Sequence, residues 1–355
     1  MAGGEFICGQ TGCEVICDPC APCGPVYGDM MWAELEFLLW WRSGRYFPAL
    51  ATTPAPGVVG EPGVRVLFGG GELTEQARPG GRLNFGMWLE PCQTIGIGGS
   101  FLTLGNARAR FSADENQYPF LAVPFWDASV GLPNAYPVAN PPRPGNIAIE
   151  SNSDFLAADA FLRTLWLQGP VTRVDFIFGY QLARIDEDLL LNTSTTGLPD
   201  TRDAFLVQNE FHGGHFGLKG QYRWGALSLD LSAKVGFGNM AQRAQLENPN
   251  GSDGLLIHPS NEGTYRRDEF SYMHDVGISL AYYPVERLKL SVGYSMIFFS
   301  DVVRPGEVMD TYRGQAVVDS DWFGTPLVDP TRPAFDFNST HYYVHGLNAG
   351  LEFRF

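Results

Sequence analysis

His212 and His215 stand three residues apart, the chain's nearest approach to a metal or general-base pair. On a strand, successive side chains point to opposite faces, so positions three apart diverge. One metal cannot take both imidazoles there without a bulge. Ser271 and His274 share the same spacing. As a nucleophile and its base they would have to lie within hydrogen-bond reach, which that spacing denies them. Asp203, Glu210, Asp268 and Glu269 would serve acid–base hydrolysis only if the fold gathered them, and their spacing does not. The sequence therefore predicts no enzyme, no catalytic residue, no cofactor and no resident metal.

Three other groupings carry weaker chemistry. Asn250 to Gly254, joined by Asp319 and Asp321, offers oxygens of the kind calcium takes, but lacks the spacing of an EF-hand loop. A solvated Gly/Asn turn is the simpler reading. Gly69-Gly70-Gly71 has no strand-to-helix phosphate motif around it and reads as a loop. Cys8, Cys13, Cys17, Cys20 and Cys23 crowd the first 28 residues, while Cys92 stands far away. In an exported chain this favours disulfides or cross-links within the cell envelope. The repeated C-x-x-C gap of Cys17, Cys20 and Cys23 leaves a metal knuckle as the alternative, without a histidine nearby or a second separated pair.

The composition narrows the partners. A formal charge of −15, with 24 lysines and arginines that form no patch, predicts no nucleic-acid binding. No run of 18 apolar residues exists, so no helix is expected to cross a membrane. Yet Gly is 42, Phe 25 and Tyr 14 of 355 residues, a mixture that suits many antiparallel strands. Met1 to Gln10 has no basic leader followed by an apolar core, so the expectation for an exported protein is a mature or trimmed form.

The elements that would position any site read as strands of period 2. From Asp29 to Trp41, Met31, Ala33, Leu35, Phe37, Leu39 and Trp41 oppose a face bearing Glu34 and Glu36. Two carboxylates on one strand face are unfavourable in a dry core, so that face meets water or arginines. Gly81 to Glu90 repeats the pattern, with Arg82 and Glu90 opposite Leu83, Phe85, Met87 and Leu89. Thr94 to Gly105 keeps Ile95, Ile97 and Phe101 in phase. Asp154 to Leu167 sets Asp159 and Arg163 against Leu162 and Trp166. After Gln168-Gly169-Pro170, Arg173 and Asp175 oppose Val174, Phe176, Phe178, Tyr180 and Leu182. A long strand runs from about Ala204 to Tyr222, its phase left open by Gly213-Gly214. Leu227 to Phe237 places Asp230 and Lys234 opposite an apolar face. Phe270 to Tyr282 does so with Asp275, and Leu288 to Phe298 with Lys289. The last ten residues alternate to Phe355, with Glu352 and Arg354 on the second face.

Connections between these strands alternate, five long and four short. That regularity is expected of an outer-membrane barrel with long external loops and short periplasmic turns, and a soluble sandwich gives no reason for it. The fold predicted is all-β, a closed antiparallel transmembrane barrel of about ten strands, with twelve as the alternative. Both termini would be periplasmic. Residues 1–28 would form a Cys-rich amino-terminal segment, and residues 29–355 the barrel. Elaborated loops are expected at about 42–80, 106–153, 239–267 and 301–338. Trp41, Trp88, Trp166, Tyr222, Tyr282 and Phe355, near strand ends, would form interfacial belts.

Certain blocks carry a resemblance. Trp32 to Trp41 followed by Gly80-Gly81-Arg82, then Phe205, Asn209, Phe211-His212-Gly213 and Gly217, resemble the opening and middle of a planctomycete outer-membrane β-barrel family. Val292-Gly293-Tyr294, Val303-Arg304-Pro305-Gly306 and Gly346 to Leu351 with Phe353 and Phe355 resemble its carboxy-terminal block. The resemblance spans residues 29–355. It implies a surface barrel with a Cys-rich amino-terminal segment, lodged in outer-membrane lipid and assembled by the outer-membrane insertion machinery. Tyr343, Leu351, Phe353 and Phe355 would form the terminal assembly signal. No catalytic residue is carried over by it.

A barrel of about ten strands is narrow enough for side chains to fill. Opposite charges recurring on the second faces are expected to pair into a plugging network, which makes the chain a structural or surface-display protein touching envelope or surface-layer components. A thin channel for ions or small solutes is the alternative.

Overall fold

The fold is seen in a computed structural model that describes residues 6–9, 12–15, 30–74, 76–128, 130–249, 254–313 and 331–355. The Cys17, Cys20 and Cys23 cluster, and Asp319 and Asp321, lie outside these residues, as does most of the Asn250 to Gly254 stretch. In chain order the strands are β1 (Phe6–Gly9), β2 (Gly12–Val15), β3 (Met31–Arg42), β4 (Arg45–Phe47), β5 (Ala51–Thr53), β6 (Arg65–Phe68) and β7 (Gly71–Leu73). They continue as β8 (Arg78–Trp88), β9 (Ile95–Asp114), β10 (Leu121–Asp127), β11 (Leu132–Ala139), β12 (Gly145–Gln168) and β13 (Thr172–Thr195). The remainder are β14 (Thr201–Trp224), β15 (Leu227–Glu247), β16 (Gly263–Val285), β17 (Leu288–Val303), β18 (Tyr312–Arg313) and β19 (Ser339–Arg354).

Ten of these form one antiparallel sheet in a ring: β12, β13, β14, β15, β16, β17, β19, β3, β8 and β9, which pairs back onto β12. Every strand of the ring is hydrogen-bonded along both edges, so no ladder faces lipid unpaired. The amino-terminal β1 and β2 make a separate hairpin in which Cys8 stands opposite Cys13 in backbone register.

Two physical regimes divide the ring by height. Toward the short connections, apolar residues face outward and charges inward. On β13, Val174, Phe176, Phe178, Tyr180 and Leu182 point out, while Arg173 and Asp175 point in. Beyond Leu182 the alternation inverts without a bulge. Ile185, Leu189 and Leu191 are buried inside, and Arg184, Asp186 and Asp188 face outward. The same inversion puts Ile147 and Ile149 of β12, Phe205 and Val207 of β14, and Leu246 of β15 inside. An outward apolar band nine residues long matches one tilted bilayer crossing, about 9–11 residues. β13 has 24 residues, so its upper half stands clear of the membrane.

That inversion corrects the expected loops. β9 runs to Asp114 and β12 begins at Gly145, so much of 106–153 is ladder. Likewise β15 reaches Glu247 and β16 starts at Gly263 within the expected 239–267 loop. The connection between β13 and β14 is only the five residues between Thr195 and Thr201. Polar outer faces above the membrane hide a strand from any search for outward apolar residues.

The long connections build a lid over the end of the ring away from the short turns. β11, β10, β5 and β6 form a sheet that β18 joins in parallel to β10. Its apolar side packs with the inner faces of the ring's upper half in one core that includes Phe47, Leu50, Leu121, Val123, Val138 and Leu255. A short 3-10 turn, Pro305–Glu307, dips into this core. Gly306 is needed there, because a Cβ would fall on the Tyr46 carbonyl oxygen.

Candidate functional site

The bore of the ring holds three layers. Uppermost is the loop core just described, tied to the wall by two polar anchors. Arg304, buried, donates to both oxygens of Glu187 at 2.8 and 2.9 Å. Asn209 clasps Val303 through both backbone groups, at 2.8 and 2.9 Å. These bonds fold the Val303-Arg304-Pro305-Gly306 segment inward across the opening.

Beneath lies an apolar plug made from the ring's own side chains. Leu38 and Trp40 of β3, Phe155 of β12, Phe211 of β14, Met240 of β15, Met273 of β16, Phe299 of β17 and Tyr342 of β19 are at most 1% exposed. β12 and β17 stand five places apart in a ring of ten, which is diametrically opposite. Even so, the Phe155 and Phe299 rings meet at 6.2 Å between centroids, in edge-on contact. Phe211 reaches Phe299 at 5.4 Å, and Tyr342 reaches Phe155 at 5.7 Å. Side chains from opposite walls thus touch at the centre of the bore.

The lowest layer is a charged chamber of about 330 Å³. Its wall runs from Met31, Gln93, Arg173 and Arg354 at the short-turn rim up to Ser295 and Asn348 below the plug. On one side, Lys234 bridges Asp159 and Asp275, each at 2.8 Å. Ser100 supports Asp159 from β9 at 2.5 Å. A second cluster centres on Lys289, which lies 2.8 Å from Glu352, 3.3 Å from Asp230 and 3.4 Å from Glu34. Arg354 also pairs with Glu352 at 2.7 Å. Arg82 lies 3.6 Å from Glu36, while Asn84 donates to Glu36 and Glu34 at 2.7 and 3.1 Å. Finally, Arg163 and Arg173 share the single carboxylate of Asp175, at 2.5 and 3.0 Å. Their guanidiniums pack over Trp88, 4.8 and 4.5 Å from its centroid.

Of the fourteen charges expected to face the bore, the structure places thirteen there. Glu90 is the correction: β8 ends at Trp88, and Glu90 lies in the turn, where its carbonyl accepts from the Gln93 amide. Pro91 ends the ladder, so the alternation of Gly81 to Trp88 does not extend to it. Trp88 departs from the expected belt as well, being buried against the two arginines, whereas Trp166, Tyr222, Tyr282 and Phe355 are exposed on the outside.

Within this chamber, sequence reasoning missed one charge, Lys219. β14 passes Gly213-Gly214 with no register shift against either neighbour. Lys219 therefore shares the inner face with Phe211 and His215, and Gln221 follows it. Outward Phe216, Leu218 and Tyr222 were the available signal for that phase. The two histidines fall as strand geometry requires, His212 exposed outside and His215 buried within, 3.7 Å from Asp159. Among the described residues no group of three or more His, Cys, Asp or Glu is placed to hold a metal ion.

An antiparallel ring with an apolar outer belt and a charged bore defines a transmembrane β-barrel protein. Residues 32–355 match the family described as "Putative beta barrel porin-7 (BBP7)", and the chain belongs to that porin-like outer-membrane barrel family. No curated protein matches it. Among solved structures, the Escherichia coli outer membrane protease OmpT is similar over 93% of this chain and 98% of its own, at 16% identity and a TM-score of 0.46. A Pseudomonas aeruginosa FadL homologue is similar over 93% of this chain and 91% of its own, at 9% identity and a TM-score of 0.26. Likenesses this distant carry no argument about activity.

Proposed function

We propose that this chain is a closed, non-enzymatic barrel of the bacterial outer membrane, whose task is to hold the lid formed by its long loops at the cell surface. Both termini and the short turns would face the periplasm, and envelope or surface-layer components would meet the lid. Contact between Phe155 and Phe299, which reach each other from strands on opposite sides of the ring, carries this reading, because a bore crossed by packed aromatic side chains favours a filled barrel over an open pore. The ion pairs below add to it, since Lys234 and Lys289 tie carboxylates of different strands together beneath the plug and stiffen the wall.

Surface display is tested by protease shaving of intact cells. Cleavage confined to the long connections, with the short turns cut only after the outer membrane is breached, is the expected pattern. Cleavage at the short turns in intact cells would reverse the orientation.

A narrow channel for ions or small solutes is the second reading, favoured by the chamber itself and by the porin-like family. It requires the plug to move.

A further inference from the structure

The chain contains only three lysines, Lys219, Lys234 and Lys289, and all three lie along the chamber. Two are locked: Lys234 between two carboxylates, and Lys289 among three. Lys219 has no ion pair and no hydrogen bond among the described residues. Its ammonium lies 5.0 Å from the centroid of Phe161. Yet Asp175 is its direct partner in backbone register. That carboxylate is already taken by Arg163 and Arg173. The wall formed by β12, β13, β14 and β15 therefore sets four cations, Arg163, Arg173, Lys219 and Lys234, against two carboxylates, Asp159 and Asp175. The chamber as a whole is balanced, with seven cations and seven carboxylates, so the excess is local.

The wall on the other flank of Lys219 is hollowed by small residues. Ser232 of the adjacent β15 is the direct register neighbour of Lys219, and Gly277 and Ser279 of β16 and Ser291 and Gly293 of β17 continue the inner face. Hydroxyl donors beside an unpaired ammonium make a receptor for an oxyanion, since charge-assisted hydrogen bonds are the strong ones. At 330 Å³ the space holds about ten waters and falls at the lower end of ligand pockets.

We propose that the chamber binds a small oxyanion, a carboxylate or a phosphate, entering from the short-turn end and seated on the Lys219 ammonium with Ser232 beside it. Arg163 and Arg173 at the rim draw it in. The inference rests on the bore being sealed above, so that the chamber is a receptor and not a passage.

Lysine reactivity tests this directly, because three lysines give an unambiguous readout. Folded protein in detergent micelles is treated with sulfo-N-hydroxysuccinimidyl acetate, and each lysine is followed by peptide mass spectrometry. Lys219 is expected to react at least tenfold faster than Lys234 or Lys289. Inorganic phosphate and, separately, succinate should slow that reaction saturably, and the more effective of the two identifies the class of anion. Calorimetric binding should vanish in Lys219→Met and persist in Lys219→Arg, both showing the heat-modifiable gel mobility of a folded barrel. Equal reactivity of the three lysines, or no protection by either anion, overturns the receptor. Flux of either anion across proteoliposomes would instead overturn the sealed bore, which separates the two failures.

Discussion

At the residue scale, Lys234 and Lys219 make opposite predictions from one principle. A buried charge deprived of its partner costs far more than the pair contributes. Lys234→Met leaves Asp159 and Asp275 facing each other beneath the plug, and the barrel should lose about 3–5 kcal/mol. Lys219→Met removes a cation that no carboxylate holds, and stability should hold or rise. Urea-induced unfolding of both variants in micelles checks the pair, and equal losses would contradict the account. Residue types told much of this in advance. Glutamates alternating with leucines on β3 demanded a wet or paired face, and Glu34 and Glu36 have one. Lys219 escaped because two adjacent glycines allowed a bulge, and no local signal distinguishes a bulge from a straight ladder until neighbouring strands fix the register.

At the element scale, the inversion of alternation along each tall strand marks the membrane boundary. Phe178 sits at the middle of the outward apolar band on β13, and Arg184 lies just past its end. Phe178→Arg should cost about 2–4 kcal/mol in equilibrium folding into lipid vesicles, while Arg184→Leu should change it little. The lower half of the strands was legible because outward apolar residues alternate there. Their upper halves were not, because a buried inner face with a polar outer face reads as a loop sequence once its phase changes.

The lid has its own latch at the top of β14, beyond the band. Asp203, fully buried, accepts from the amides of Leu255 and Ile257 at 3.0 Å and of Leu256 at 3.3 Å. Gly254 lets that turn wrap the carboxylate, since a Cβ there would overlap Asp203 Oδ1. Burial pushes this carboxyl up to about 6, against the pull of the three amides and the Arg313 guanidinium. His258 beside it is driven the other way, to about 3, by burial and by Arg313, so it stays neutral above that pH. The native state therefore holds a proton at pH 5 that the unfolded chain has released. Taken alone, Asp203 makes stability fall as pH rises from about 4 to 6, by up to about 3 kcal/mol for a shift of about two units, while His258, protonated at these pH values only in the unfolded chain, makes it rise over the same interval. The difference in urea stability between the native protein and Asp203→Asn isolates the first contribution, and it should shift against the native protein as pH rises from 4 to 7. A difference that stays constant with pH would remove Asp203 from the account.

At the scale of the whole molecule, ten strands set a narrow bore, and large aromatic side chains at mid-height fill it. The charged chamber below and the loop core above are separated by that one layer. The sealed bore is tested most directly by single-channel recording of refolded protein in planar bilayers, beside a Phe155→Ala/Phe299→Ala variant that opens the plug. The native barrel should insert and stay silent while the double variant conducts in resolved steps. Unitary currents from the native protein would contradict the account.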